Sequence, residues 1–375
     1  MSMLFNDDDD LDENNNSHDF EDPSTEIDGK IRSRKMLDPD RFQIHFTPDY
    51  SRIMGQEKEK YVYFNKPFGM KHWMEHKLGF SSSSENDNDD DIERNDNAII
   101  ILLDPDQLIM RPYENNNFTN TQWKFIPTNE DPYTRISHQH PMGQLYGFDL
   151  QWKSKINMTQ LLQDVVTSSI TKEYFQMSEL NITTTTTTTA QEQPPYYYTP
   201  VDTLSNTEAR RGYILGPPYI ATARDMYQIV QHWSAFVPHV YTQYPHLLAE
   251  MFGYCLAAAH LQLPHQTAIS FMVSDPHMGR FGEGWNGIDN NITDEQICTR
   301  TYSREHLPNV LHYCQRYGIG KYFFGKRRLP GTFLSCDGPL LQEIPNTTKN
   351  LDEYIKSALY PGDPNVKVYD QRHVG

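Results

Sequence analysis

Cysteine is scarce in this chain: four in 375 residues, at positions 255, 298, 314 and 336. None are spaced as C-x-x-C, which excludes a thiolate metal knuckle. Cys298, Cys314 and Cys336 flank loops, so one disulfide among them and buried free thiols are both compatible with the sequence. Long apolar runs are also lacking. None approaches the roughly 18 residues that a spanning helix needs, so no membrane span is expected in this chain. The opening MSMLFNDDDDLDENNN has neither a basic n-region nor an apolar h-region, and no signal peptide is legible. Basic charge is short as well: 33 Lys and Arg stand against 50 Asp and Glu, a net charge of −17. The deficit is local. Residues 1–30 hold 11 acids and one base, and residues 81–97 hold seven acids and one arginine. The remainder is close to neutral. Without a large basic face the chain is not expected to take nucleic acid as a partner. The sequences G-x-x-x-x-G-K-[ST], G-x-S-x-G and H-E-x-x-H are absent, which removes the P-loop, the nucleophile elbow and the zincin helix.

Aromatic residues are plentiful. With 23 Tyr, 18 Phe and five Trp the chain can build a large core despite its polar runs. Residues 1–40, acidic and Asn-rich, read as a disordered tail. Residues 41–345 read as one folded unit with low-complexity insertions at 81–97 and 178–208, the second containing seven consecutive threonines. Residues 346–375 read as a polar C-terminal tail. Six N-x-S/T sequons, at Asn15, Asn117, Asn157, Asn181, Asn291 and Asn346, permit a secretory route without establishing one.

Within the folded unit FQIHF (43–47) reads as a strand. KPFGMKHWMEHKLGF (66–80) reads as a helix, with Met70, Trp73 and Met74 at helical spacing. AIIILLD (98–104) reads as a fully buried strand. Strand, helix, strand predicts a βαβ unit, hence an α/β class with a mixed, mainly parallel sheet flanked by helices. RGYILGPPYIA (211–221) predicts a strand that ends at Gly-Pro-Pro. Met226, Ile229, Val230, Trp233, Phe236 and Val237 then repeat as one face of a helix that Pro238 limits. PHLLAEMFGYCLAAAHLQLP (245–264) predicts a buried helix, and AISFMVSD (268–275) and VLHYCQRY (310–317) predict further strands.

The sharpest chemical signal is Asp104-Pro105-Asp106 at the end of AIIILLD. Ligands of open α/β sheets sit beyond the carboxyl ends of strands. Two carboxylates two residues apart point the same way on extended chain. They can hold a hard divalent cation such as Mg²⁺ or Mn²⁺, or form a solvated Asp-Pro-Asp turn. His312 is either a third ligand or a satisfied core histidine. Glu250, an acid inside an apolar helix, requires a partner. His246 and Tyr254 lie at i−4 and i+4; the alternative is a pocket carboxylate that meets substrate. Lys321, Lys326, Arg327 and Arg328 form a basic cluster suited to a leaving diphosphate or to a plain turn. FGEGW (281–285) offers Trp285 as a sugar-stacking platform, or is simply a turn.

Seven segments taken together resemble one family, the hydroxyproline O-arabinosyltransferases and peptidyl-serine galactosyltransferases. They are YFNKPFGMKHWMEH, AIIILLDPDQLIMRP, GQLYGFDLQW, GPPYIATARDMYQIVQHWSAFVP, PHLLAEMFGYCLAAAHLQLPH, VLHYCQRY and KYFFGKRRLPGTFLSCDGPLL, in order between about residues 61 and 345. The resemblance implies a GT-A-type, Rossmann-like sheet and transfer of a sugar from a nucleotide-sugar donor, usually a UDP-sugar. The acceptor would be a hydroxyl of hydroxyproline or serine in a protein. It implies Mn²⁺ or Mg²⁺ on Asp104 and Asp106. By analogy with GT-A enzymes, His312 completes the metal shell and Lys326, with Arg328, meets the donor diphosphate. Glu250 and Gln144 would serve in catalysis, and Tyr219 and Trp285 on the acceptor side. Members carry an N-terminal βα unit and an anchor, and reside in the Golgi or endoplasmic reticulum lumen. Neither feature is legible before FQIHF, so the expected sheet lacks part of that unit.

Overall fold

The computed structural model describes residues 43–55, 60–80, 96–113, 135–175, 196–268, 271–274, 293–299 and 308–312, together with positions 180, 182, 184 and 185 and the short strands at 317–319 and 322–324. The expected acidic and C-terminal tails and most of the 81–97 insertion lie outside the described residues, as do Trp285, Lys326 and Arg328.

After a short 3₁₀ turn at Val62–Phe64 the elements run α1 (Asn65–Lys77), β1 (Ile99–Leu102), β2 (Gln107–Ile109) and β3 (Met142–Leu145). Then come α2 (Gln151–Ser154), α3 (Met158–Thr167), α4 (Ser169–Tyr174), β4 (Thr184–Thr185), β5 (Tyr196–Tyr197), α5 (Pro200–Thr203) and α6 (Asn206–Gly212). The chain continues with β6 (Leu215–Thr222), α7 (Ala223–Gln243), α8 (Ala249–His260), β7 (Gln266–Ala268), β8 (Met272–Val273), α9 (Asp294–Thr299), β9 (Val310–His312), β10 (Tyr317–Ile319) and β11 (Tyr322–Phe324). The class is mixed α/β, as the alternation of periodicities implied.

The main sheet has the order β1-β6-β3-β7 and a second has the order β2-β9-β8. In the main sheet β6 runs antiparallel to both β1 and β3, and only β3 and β7 are parallel. The sheet is therefore mixed, not mainly parallel. Residues 43–50 form no strand, and Ile44 and Phe46 are exposed. An apolar segment becomes a strand only where a partner edge accepts it. The expected βαβ unit is consequently not formed among the described residues, and β1 takes its partner from far along the chain. AISFMVSD likewise divides, with β7 joining one sheet and β8 the other.

Every residue of β6 is buried. Its alternation feeds two cores, as a period of two dictates. Leu215, Tyr219 and Ala221 join the large cluster with the helices, whereas Ile220 joins Met142, Ala268, Phe271, Met272 and Val310 on the opposite face. Gly-Pro-Pro does not end this strand. Gly143 pairs with Tyr219 and Gln144 with Gly216, so the ladder passes over Pro217 and Pro218, which have no N–H to give it. β1 is less enclosed than its apolar run suggested: only Leu102 is buried, and the three isoleucines are half-buried.

The large core centres on α7 and α8. α7 begins where the Thr222 hydroxyl accepts the backbone N–H of Asp225. It continues through Pro238 to Gln243 rather than stopping there. An internal proline removes one helical hydrogen bond. Here Phe236, Val237 and Val240 are fully buried on either side of it, and Thr242 donates its hydroxyl to the Pro238 carbonyl at 3.0 Å. The helices close together at Gly253: a β-carbon there would lie 3.0 Å from the Trp233 ring and 3.3 Å from Val237. The Trp233 indole N–H donates to the Glu250 carbonyl at 2.8 Å, joining α7 to the first turn of α8. Within the second low-complexity segment β4 pairs with β5, and α5 and α6 follow. A Ser205–Glu208 capping box starts α6.

Candidate metal centre

Asp104 to Gln107 forms a tight turn between β1 and β2. The Gln107 backbone N–H donates to the Asp104 carbonyl at 3.0 Å, and Pro105 sits at the second position, where its fixed φ suits such a turn. The Gln107 side chain fastens it. Its Oε1 accepts the Asp104 N–H at 3.0 Å, and its Nε2 donates to the Pro217 carbonyl at 2.9 Å. The carbonyl left at the prolines of β6 therefore anchors the acidic turn.

β2 then pairs antiparallel with β9, placing His312 opposite Gln107, the residue after Asp106. The His312 Nε2 lies 3.3 Å from the Asp106 Oδ2. Asp104, Asp106 and His312 each present a ligand atom, all within 4.8 Å of one another. Asp106 and His312 are each 7% exposed. The three residues singled out as ligands are thus brought together from opposite ends of the folded unit. This group can hold a metal ion.

On its other side Asp104 meets Lys66, from the first turn of α1. The Lys66 ammonium lies 2.6 Å from the Asp104 Oδ1 and 3.2 Å from the Glu250 Oε1. Glu250 is buried in the first turn of α8, an end that favours negative charge. Burial pushes its carboxyl above the ordinary range, the Lys66 charge pulls it back, and the Asp104 charge adds to the rise. Burial alone would lower the Lys66 ammonium, but Asp104 and Glu250 overcome this and hold it above the usual lysine value. Behind them the Tyr61 hydroxyl accepts the Glu250 backbone N–H and donates to the Leu247 carbonyl, both at 3.0 Å. The local partners expected for Glu250 are engaged elsewhere: His246 accepts the Leu248 N–H, and Tyr254 bonds His265.

Sequence reasoning missed Lys66. One signal was available, because a cation in the first turn of a helix opposes the helix dipole and so calls for a distant anion. Around this rim three carboxylates, of Asp104, Asp106 and Glu250, face one ammonium. The excess negative charge, with two oxygen donors and one nitrogen donor converging, fits a bound cation.

Gln144 and Tyr219 are placed differently from their expected roles. Gln144 is fully buried, its Oε1 accepting the Met272 N–H and its Nε2 donating to the Leu145 carbonyl, both at 3.1 Å. It ties β3 to β8, a structural duty. Tyr219 is fully buried, stacked on Tyr254 at 3.6 Å between ring centroids and edge-on to Trp233. Its hydroxyl has no hydrogen-bond partner among the described residues. Burial first, then the Glu250 charge, raises the phenol well above its ordinary value. An acceptor cannot reach it in this arrangement. Cys255 is a buried free thiol, and the other three cysteines bear no described side chain. No helix among the described residues is long and apolar enough to cross a membrane. Compared with protein-family profiles, curated proteins and solved structures, the chain matches none.

Proposed function

We propose that the chain is a metal-dependent glycosyltransferase that moves a sugar from a UDP-sugar to a hydroxyl of hydroxyproline or serine in a protein. The observation that carries this reading is the convergence of Asp104, Asp106 and His312 at the end of β1, together with the seven-segment sequence resemblance. In this reading Asp104, Asp106 and His312 hold Mn²⁺ or Mg²⁺. The ion, when bound, offsets the charge that develops on the departing diphosphate. Lys66 fixes the Asp104 carboxylate from behind. Glu250, buried and held by Lys66, is assigned to catalysis in this reading, which requires the acceptor hydroxyl to gain access to it. Lys326 and Arg328 are assigned to the diphosphate, Trp285 to the acceptor, and the expected compartment is the Golgi or endoplasmic reticulum lumen.

A second reading, a non-catalytic relative that binds peptide or glycan, is favoured by one observation. The Lys66 ammonium already neutralises part of the Asp104 charge from within the chain.

Calorimetric titration of UDP with and without Mn²⁺ separates the two, followed by turnover assays of UDP-sugars against hydroxyproline- and serine-rich peptides. The enzyme reading expects Mn²⁺-dependent heat that the paired change Asp104→Ala, Asp106→Ala abolishes. Absence of heat with the wild type removes the donor site, and heat that survives the paired change removes the metal assignment. Binding without turnover supports the second reading.

A further inference from the structure

α1 has a feature that the proposed activity leaves unused. His72 and His76 lie one helical turn apart, and His45 approaches them from the segment before the helix. The His45 Nε2 is 2.8 Å from the His72 Nδ1. The His72 and His76 rings stack with centroids 4.0 Å apart and planes within 13°. The His76 Nδ1 is 2.9 Å from the His72 carbonyl oxygen. A carbonyl only accepts, so the His76 Nδ1 carries the hydrogen and its Nε2 keeps a lone pair.

We propose that His45, His72 and His76 form a second metal site, for a transition ion of the Zn²⁺, Cu²⁺ or Ni²⁺ class. Between His45 and His72 one proton is shared by two nitrogen lone pairs that already converge. An ion in place of that proton requires the nitrogens to separate to about 3.3 Å, given Zn–N bonds of about 2.0–2.1 Å and tetrahedral angles. That is an opening of about half an ångström between two half-buried rings. The third ligand requires the exposed His76 ring to turn, giving up its bond to the His72 carbonyl so that a ring nitrogen faces the pair. An all-imidazole set selects borderline transition ions over Mg²⁺ or Ca²⁺, which require oxygen.

The charged neighbours act in both directions. Lys71 is neutralised by Glu75 at 2.6 Å, and Glu75 also accepts from the Tyr227 hydroxyl. Lys77 opposes the ion. The site is chemically distinct from the acidic rim, which lies around Lys66, about 9 Å back along the helix axis at 1.5 Å per residue.

The test is titration of the chelator-treated full chain with Zn²⁺ by calorimetry, with Co²⁺ absorption as an optical readout. Four forms are compared: the wild type; Asp104→Ala with Asp106→Ala; His76→Gln; and His45→Gln with His72→Gln. The three histidines are exposed or half-buried, so their glutamine variants retain the core. A site of one Zn²⁺ per chain is expected to survive loss of the two aspartates. It should weaken by at least about 10-fold in His76→Gln, since loss of an outer-shell partner alone costs about 10–100-fold, and vanish in the double-histidine variant. Undiminished Zn²⁺ binding in that double variant overturns the proposal. So does binding that disappears with Asp104 and Asp106.

Discussion

Between α7 and α8, Trp233 and Val237 press on Gly253 with no charged group in the contact. At the first turn of the same α8, Glu250 and Asp104 share one lysine across three separate elements. Both regions are buried, and they are held by opposite means. The helix pair gains from removing apolar area from water, a term that is forgiving of direction. The rim encloses charge, which is tolerated only while each group keeps its partner. Loss of a partner at the rim should therefore be felt much like a cavity in the core, and unlike a cavity it should be partly reversible by removing the second charge.

The comparison is broken most severely on the apolar side. Trp233→Ala should destabilise by about 3–5 kcal/mol, the range for an aromatic truncated in a core. It removes a fully buried side chain and the bond to the Glu250 carbonyl. A urea midpoint that does not move would show that the helix pair is not the stabilising centre.

Lys66→Met should destabilise by about 3 kcal/mol, because it leaves two carboxylates without their cation. Adding Glu250→Gln should restore part of that loss, and the double-mutant cycle measures the coupling. If the two changes simply add, the ion pair is not what holds the rim.

His265 sharpens the contrast through pH. Its Nδ1–H donates to the Leu263 carbonyl and its Nε2 accepts the Tyr254 hydroxyl. Burial lowers its pKa from 6.5 to about 3. Below pH 6.5 the unfolded chain binds a proton that the folded chain refuses. The stability contributed by the neutral ring is thus complete above pH 6.5 and is lost as pH falls toward 3. By pH 4.5 the loss should be about 2–3 kcal/mol. His265→Gln should flatten the slope of stability against pH over that window, and an unchanged slope would refute the assignment.

Tyr61→Phe is the mildest test, at about 1–2 kcal/mol. It leaves the Glu250 N–H and the Leu247 carbonyl without the hydroxyl that joins them. Thermal unfolding of the variant should show the loss without a change in secondary structure by circular dichroism.

Much of this was legible in the chain of residues. α1, α7 and α8 follow from apolar spacing, and the Asp104-Pro105-Asp106 turn from an acid–proline–acid run after an apolar strand. His312 was recognisable as a ligand type. Sheet direction was not legible, because strand propensity is the same for parallel and antiparallel pairing. FQIHF has the composition of a strand and pairs with no strand among the described residues. Pro238 has the composition of a helix stop and is carried through by the burial of its neighbours. Gln144 looked chemical and proved to be a fastener between β3 and β8. Lys66 lay outside any local window around Glu250, so a search at i±4 could not find it.

The order of amino acids settled which segments would be helical, where two acids would emerge from an apolar strand, and that the core would be rich in aromatics. These are short-range properties, set by side-chain periodicity and turn chemistry. Only the tertiary structure decided that β1 would run against β6, that His312 would close on Asp106, and that Lys66 would sit between Asp104 and Glu250. Those contacts join residues far apart in the chain, and their energies depend on a geometry that exists only once the strands and helices have packed.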